Sequence, residues 1–414
     1  MTDNKKDLNM KDIMILGKDK YYSLDCYDTK VNNNVLVVGT AGSGKTRSIV
    51  TPNLLLATGS YIVSDPKGNL YTKYGKYLKA KGYKVRKLDF TDPVHSAHYN
   101  PFMYIRSCQD IVKVAHVLAT HKEGTRTLDP FWDEAAQLLI QSLIAYLRET
   151  CPTNMRNLHS MFKLLELIRI DENNSTAANK MDVLIDQLRE SKPDSYAVAT
   201  YEKFRVAAGK TLKSILITIN SRLGLYETPE IAGMTSKDDV DITGVGREKT
   251  ALFVVVSDTD RSMDMLANIF FTQAMNELCG YADKKCADNR LPVPVRFILD
   301  DFATNCKIDD FPRMIASIRS RGISTMLMIQ AESQLESAYG DDGRTIIGNC
   351  DTYVYLGGND VGTAKSVAER CDIPAKKVLN MPVGMNWIFR RGQAPVYGEN
   401  FDLDAMLARM EPEL

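Results

Sequence analysis

The sequence predicts an α/β fold, a mainly parallel sheet with helices on both faces, broken by an all-α insertion of about 130 residues, the size of one small domain. Three observations predict it. Up to about residue 104, short apolar runs bounded by turn residues alternate with helix-like stretches. From about 105 to 236 no convincing strand pattern occurs and the apolar residues recur at helical spacing. From about residue 240 the strand–helix alternation returns. The reading in order is a polar segment over 1–30, the first part of the sheet-bearing domain over 31–104, the all-α insertion over 105–236 and the second part of that domain over 237–414.

The opening segment, Met1 to Lys20, is rich in Lys and Asp and has no apolar signal region. Val35–Val38, Tyr61–Ser64 and Lys84–Leu88 then read as buried strands of a parallel sheet, which is apolar on both faces and so lacks alternation. In the insertion, Ile111, Val114, Ala115 and Leu118 share one helical face. Asp129-Pro130 reads as a helix start, a polar cap followed by a proline that needs no N–H, and Leu138, Leu139, Leu143, Tyr146 and Leu147 follow. Met161, Leu164, Leu165 and Ile168 mark another helix, and Leu212, Ile215, Leu216, Ile219 and Leu223 a further one; these stripes read as core packing. Ala251–Val256, Val295–Leu299, Ile323–Ile329 and Thr352–Leu356 are the later strands, with a helix over Met263–Cys279.

Charge is balanced, 52 basic against 52 acidic residues in 414, so any nucleic-acid surface must be local. Eight cysteines are dispersed without a CxxC pair, which excludes a disulfide scaffold or a zinc ribbon and fits a reducing cytoplasm; most are expected to be small buried apolar residues. No run reaches the ~20 apolar residues needed to cross a bilayer, so a soluble, cytoplasmic chain is expected.

The strongest local signal is Gly39, Thr40, Ala41, Gly42, Ser43, Gly44, Lys45 and Thr46, which fits G-x-x-x-x-G-K-[ST]. Glycines let the backbone wrap phosphates with N–H groups pointing inward, and a following helix turns its positive end toward the anion. The segment through Arg47 is therefore the expected ATP cradle, with Lys45 on the β- and γ-phosphates and Thr46 on Mg2+. The apolar strand Val35–Val38 before it supplies the context the motif needs. Pro52, about two turns into the next helix, should bend or end it. A P-loop motor also needs acid at the end of a neighbouring strand, and Val295–Leu299 followed by Asp300 and Asp301 provides it. Asp300 is the candidate for the Mg2+ shell, and Asp301 for orienting or deprotonating the attacking water.

Further segments carry a resemblance. They are Thr51-Pro-Asn-Leu-Leu55, Ser64-Asp-Pro-Lys-Gly-Asn69, Tyr99-Asn-Pro-Phe102, Asp129-Pro-Phe-Trp132, Ser257-Asp-Thr-Asp260, Asp300-Asp-Phe-Ala303, Arg319-Ser-Arg-Gly-Ile-Ser324, Gln330, and Ile347-Gly-Asn-Cys-Asp351 leading to Leu356-Gly-Gly358. Their order resembles the TraG/TraD-type coupling ATPases of type IV secretion and conjugation over about Val35 to Arg391. The resemblance implies a RecA-like motor domain with an inserted all-α domain, in a ring, usually hexameric, with ATP between subunits. It implies Arg319, with Arg321 as runner-up, as the arginine reaching a neighbour's γ-phosphate, and Gln330 as a γ-phosphate sensor or water-positioning group. The implied partners are DNA, single-stranded and double-stranded, a relaxase or relaxosome, and the ATPases or membrane subunits of a secretion channel.

Two departures from the family stand out. Asp301 replaces the usual Glu and is one methylene shorter, so slow hydrolysis is expected. The N-terminal membrane helices of many relatives have no counterpart here, so recruitment to the inner membrane face by a partner is expected. Two other readings stay open: a nucleotide-binding adaptor that barely hydrolyses, and an FtsK/HerA-type DNA pump, against which the helical insertion argues. Lys73, Lys76, Lys79, Lys81, Lys84, Arg86 and Lys87, interleaved with Tyr71, Tyr74, Tyr77 and Tyr83, could grip a nucleic-acid strand but read better as a solvated helix with its tyrosines packed inward. His95 and His98 form an HxxH without a third ligand nearby.

Overall fold

A computed structural model describes residues 12–120, 131–169, 178–207 and 209–410. By internal contact density the chain divides into two compact units, one of 1–87, 241–259 and 274–414, the other of 88–240 and 260–273.

The first unit holds the sheet. Its strands are β3 (Val35–Val38), β4 (Ser60–Ser64), β5 (Lys84–Asp89), β6 (Thr250–Val255), β7 (Val295–Leu299), β8 (Ile323–Ile329), β9 (Thr352–Tyr355), β10 (Met385–Arg390) and β11 (Val396–Glu399). The spatial order is β11-β10-β9-β3-β8-β7-β4-β6-β5. The inner strands β9, β3, β8, β7, β4 and β6 run parallel, and β10 is antiparallel to both β9 and β11. Every residue of β3, β4, β6 and β7 is buried, as two-sided burial in a parallel sheet requires. All seven expected strands are present within a residue of their expected ends.

Two features were not legible in advance. A two-stranded antiparallel sheet, β1 (Ile13–Gly17) and β2 (Lys20–Ser23), occupies part of the segment expected to be a polar lead-in. Ile13, Met14, Ile15 and Leu16 are buried. Asn53 anchors β1, accepting from the Ile15 N–H at 2.9 Å and donating to its carbonyl at 2.7 Å, as a neighbouring strand would. The β10–β11 hairpin also escaped, because β10 buries Asn386, Ile388 and Arg390 and turns Trp387 and Phe389 outward, the reverse of the usual polarity. Asn386 is held by Leu16 O and Asn400 Oδ1, and Arg390 lies over the Tyr22 ring with its guanidinium carbon 4.9 Å from the centroid.

The helix entering the sheet at Lys45 shows what Pro52 does. It does not stop the helix. Lys45–Val50 is wound as a π-helix, the Thr51 N–H donating to Thr46 O five residues back, and α-winding resumes over Thr51–Leu55 with Pro52 in the first turn. A proline has no N–H to give to the carbonyl four residues earlier, and the wider turn removes the ring's clash with it.

The second unit is helical. Its helices include Cys108–Thr120, Phe131–Thr150, Leu158–Leu165, Lys180–Ser191, Tyr196–Arg205 and Gly209–Leu223. The expected stripes form its core: Ile111, Val114, Ala115, Leu118, Leu139, Leu143, Met161, Leu165, Leu212, Ile215 and Ile219 are all buried. Asp129-Pro130, expected to open one of these helices, lies outside the described residues. The unit also takes in Tyr99, whose hydroxyl donates to Gln273 Oε1 at 2.5 Å, and Gln273 donates in turn to Pro101 O. Helix Lys180–Ser191 starts in a capping box: Asn179 Oδ1 accepts from the Asp182 N–H at 3.0 Å, and Asp182 Oδ2 from the Asn179 N–H at 2.7 Å. Asn179→Ala is expected to lower the stability of the helical unit by about 1 kcal/mol, read from its urea transition by far-UV circular dichroism.

All eight cysteines are free, but only Cys26, Cys306 and Cys350 are buried; Cys108 is exposed and the other four are half-buried, fewer in the core than expected. No described helix is long and apolar enough to cross a membrane.

Candidate nucleotide-binding site

The glycine loop follows β3 and is fixed from both sides. The Gly39 N–H donates to Ile329 O at the end of β8, and the Thr40 N–H to Gly357 O beyond β9. Gly42 and Gly44 have φ of +77° and +92°, a region that favours glycine. A Cβ on Gly39 would lie 2.5 Å from the rotatable Ser43 Oγ and 3.0 Å from Leu356 Cβ, so the close wrap leaves a side chain there little room. Lys45 folds back over the loop, its Nζ donating to Gly39 O at 2.5 Å and Thr40 O at 3.2 Å. Its side chain is buried, and desolvation lowers its pKa against the opposing pull of Asp300 and Asp301. Ser43 Oγ is buried without a hydrogen-bond partner.

Thr46 Oγ1 donates to Asp300 Oδ2 at 2.8 Å, which joins the loop to the acidic strand end. The expectation of a neighbouring strand needs correction, because β8 lies between β3 and β7. The contact forms because Thr46 sits in the first turn of the helix and not on β3 itself, so the chain has already crossed toward β7. Burial raises the Asp300 pKa, and Asp301 adds to the rise, against the Thr46 hydrogen bond and Lys45. Asp65, at the end of β4, is a second buried carboxylate. Burial raises its pKa despite N–H donation from Tyr71, Leu70 and Asn69, and Asp300 raises it further. A hydroxyl and two mutually repelling buried carboxylates form a hard oxygen donor set, the kind that fits Mg2+.

Asp301 has φ of 50° in the left-handed region, which Asp enters more readily than most residues. Gln330 is exposed just past β8, where its N–H donates to Gln334 Oε1. Ala41, Gly42 and Gly44 of the loop line one cavity of about 740 Å³ with Lys45, Thr46, Arg47, Asp65, Asp300, Asp301 and Gln330, while Gly39, Thr40 and Ser43 are not on its wall. Arg47 is ion-paired with Asp404 at the cavity rim. Lys67, Lys73, Tyr74, Asp258, Leu403 and Leu407 also line it and were not singled out as site residues. Asp65 and Lys67 had a signal in the Asp-Pro-Lys-Gly segment; the leucines come from a C-terminal helix, Leu403–Met410, that carries no motif. The expected inward packing of the tyrosines holds for Tyr74, Tyr77 and Tyr83, which are buried.

Arg319 is not in this cavity. It precedes β8, whose seven residues separate it from the loop by about 20 Å. It donates to Cys26 O. Arg321 is held by Asp283 through two 2.8 Å hydrogen bonds. His95 and His98 bind separate carboxylates, Asp92 and Asp239.

A glycine loop after a parallel strand, a lysine and threonine opening the next helix, and a buried aspartate at a strand end make this a RecA-like P-loop NTPase fold carrying a helical unit. Within that class the chain belongs to the family Type IV secretory system Conjugative DNA transfer, which matches residues 2–372. It is similar to Protein VirD4 of Rhizobium radiobacter, 25% identical over 344 residues, covering 81% of this chain and 47% of that protein. It is also similar to Conjugal transfer protein TraG of Escherichia coli, 25% identical over 362 residues, covering 81% and 54%. The chain thus spans about half the length of these relatives. Among solved structures, the bacterial conjugative coupling protein TrwBdeltaN70 shares the fold with a TM-score of 0.69 at 16% identity, over 97% of this chain and 90% of that one. TrwB in complex with ADP and Mg2+ superposes with a TM-score of 0.67 at 16% identity, over 95% and 89%.

Proposed function

We propose that this chain is an ATP-hydrolysing coupling protein that links a relaxase–DNA substrate to a type IV secretion or conjugation channel. The observation that carries the reading is the hydrogen bond from Thr46 to Asp300 beside the folded-back Lys45. It is supported by membership of the conjugative DNA transfer family and by the nucleotide complexes of TrwB.

In this reading the Lys45 ammonium leaves the Gly39 and Thr40 carbonyls for the β- and γ-phosphate oxygens. Thr46 and Asp300 hold Mg2+, which when bound neutralises charge on the transferred phosphoryl group. Asp301 orients or deprotonates the attacking water, and Gln330 positions that water or senses the γ-phosphate. Arg319 acts on the nucleotide of a neighbouring copy in a ring, for which six subunits is the expectation. DNA runs through the ring pore, and a membrane partner holds the assembly at the inner face.

The test is steady-state ATPase activity with and without single-stranded DNA. Turnover that DNA stimulates and Lys45→Ala abolishes is expected; no hydrolysis in either condition, with the variant behaving alike, would sink the motor reading.

One observation favours a second reading, a nucleotide-binding adaptor with little turnover: the short Asp301 side chain on a left-handed residue. Asp301→Glu extends the carboxylate by one methylene, and since ~1 Å of misplacement is worth about 100-fold, turnover should rise by up to that factor. Unchanged turnover in that variant would show that residue 301 does not limit the chemistry.

A further inference from the structure

Asp65-Pro-Lys-Gly68 and Ser257-Asp-Thr-Asp260 are two segments to which the proposed reaction gives no part. The first is a turn between β4 and the helix Asn69–Ala80, closed by the Gly68 N–H donating to Asp65 O at 2.9 Å. Three of its members have structural duties. The Asp65 carboxylate accepts from the Tyr71 N–H in the first turn of that helix. Pro66 takes the second position of the turn, where a fixed φ is favourable. Gly68 has a φ of +64°. Lys67 has no such duty. Its side chain is exposed, and its one ion pair among the described residues is with Asp258, Nζ to Oδ2 at 3.7 Å. The second segment repeats the pattern. Ser257 Oγ accepts from the Thr259 N–H and Asp260 Oδ1 from the Ser262 N–H, while the Asp258 carboxylate meets only Lys67.

Lys67 and Asp258 both line the nucleotide cavity. Strands β4, β6, β7 and β8 run parallel, so their carboxyl ends share one rim, and Lys67, Asp258, Asp300 and Gln330 each follow one of those ends. The rim is acidic, with Asp65, Asp258, Asp300 and Asp301 on the cavity wall. A terminal phosphoryl group brings further negative charge to it, so cations must accompany that group. The other cations on the wall are placed differently: Lys45 is folded onto the loop carbonyls, Arg47 is held by Asp404, and Lys73 lies in the second turn of its helix, away from the strand ends. The Lys67–Asp258 separation exceeds hydrogen-bond length and the pair is solvated, and such pairs contribute little. A phosphate oxygen is the stronger acceptor for an ammonium.

We propose that Lys67 is a second phosphate-binding lysine for the nucleotide of its own chain, that it takes an oxygen of the terminal phosphoryl group, and that Asp258 holds it in the empty site and releases it on loading. This rests on the ATPase reading above and deepens it. Lys45 reaches both terminal phosphates, whereas Lys67 meets only the last, so Lys67 distinguishes a triphosphate from a diphosphate. The turn then has a purpose for each member: Asp65, Pro66 and Gly68 fix the backbone, and the lysine they hold at the rim is left free to change partners.

The test titrates the full chain, with Mg2+, against mant-ADP and mant-AMPPNP and reads the ratio of the two dissociation constants. Both side chains are exposed, so neither substitution threatens the fold. Lys67→Ala should lower the preference for the triphosphate about tenfold, the scale of one hydrogen bond to a charged group. An unchanged ratio overturns the proposal, as does an equal loss for both nucleotides, which would mark a role in shaping the cavity. Asp258→Asn has the opposite sign: it frees Lys67 and should raise the preference by up to about fivefold. Removing a carboxylate near a phosphate would raise it without any exchange of partners, so the decisive variant combines Asp258→Asn with Lys67→Ala. The gain should vanish there, and a gain of the same size in the double variant overturns the exchange. A parent chain that binds neither nucleotide, or binds them no better than Lys45→Ala, sinks the glycine-loop assignment itself, a failure distinct from an unchanged ratio.

Discussion

Arg319→Ala should lower ATP turnover by about a thousandfold, the scale on which arginines supplied across an interface act in phosphoryl transfer, with little change in nucleotide affinity. The geometry makes the cause of the loss testable. On its own chain Arg319 stands at the amino end of β8 and the glycine loop at the carboxyl end, about 20 Å away. No side-chain rotation spans that distance, so any effect on turnover must come from a neighbour. Turnover per chain should therefore rise with protein concentration in the parent and stay flat in the variant. At dilutions where the parent is monomeric by light scattering, the two should hydrolyse at the same low rate. If the variant is as impaired in the monomer as in the assembly, Arg319 acts only through its contact with Cys26, as a structural group.

Legibility divides along the kinds of signal the chain carries. The inner strands were readable because a parallel sheet buries both faces, so Val35–Val38 is an unbroken apolar run and Val295–Leu299 is apolar at every position but Arg296. The glycine loop was readable because its φ values and close contacts exclude other residues. The hairpin of β10 and β11 was not, because Asn386 and Arg390 point inward and meet long-range neighbours, Leu16 O on β1 and the Tyr22 ring on β2, which no local pattern reveals. The same holds for Asp65. A motif marked the segment, but only the fold sets that carboxylate beside Asp300. The placement of β8 between β3 and β7 is a matter of strand order, and nothing in the spacing of Lys45 and Asp300 encodes it. Arg296 was invisible for the opposite reason: one charged residue in Val295–Leu299 reads as an interruption, and its burial without a carboxylate appears only in three dimensions.

Asp300→Asn should separate the chemistry of the site from its stability, with opposite signs. Asn keeps an oxygen to accept from Thr46 Oγ1, so the loop-to-strand bond can survive. It loses the charge that holds Mg2+, and turnover should fall by at least about 100-fold, the scale for removing one charge-stabilising group from a reaction centre. In the ligand-free protein the same change is expected to stabilise. Asp300 is buried, faces Asp301 and feels Asp65, and its pKa is raised above the ordinary carboxylate value. A carboxyl with a raised folded pKa contributes stability below its unfolded pKa and loses that contribution as pH rises through the folded value. The ionised carboxylate is poorly solvated in the empty site, and the neutral amide relieves that cost. The ligand-free melting temperature of Asp300→Asn at pH 7 should exceed that of the parent, with the gap closing toward pH 4. With ATP and Mg2+ present the order should reverse, because only the parent gains the binding energy of the loaded site. A variant less stable than the parent without ligand would mean that the Asp300 charge is already compensated in the empty site, and the assignment of this carboxylate to a cation would lose its physical basis.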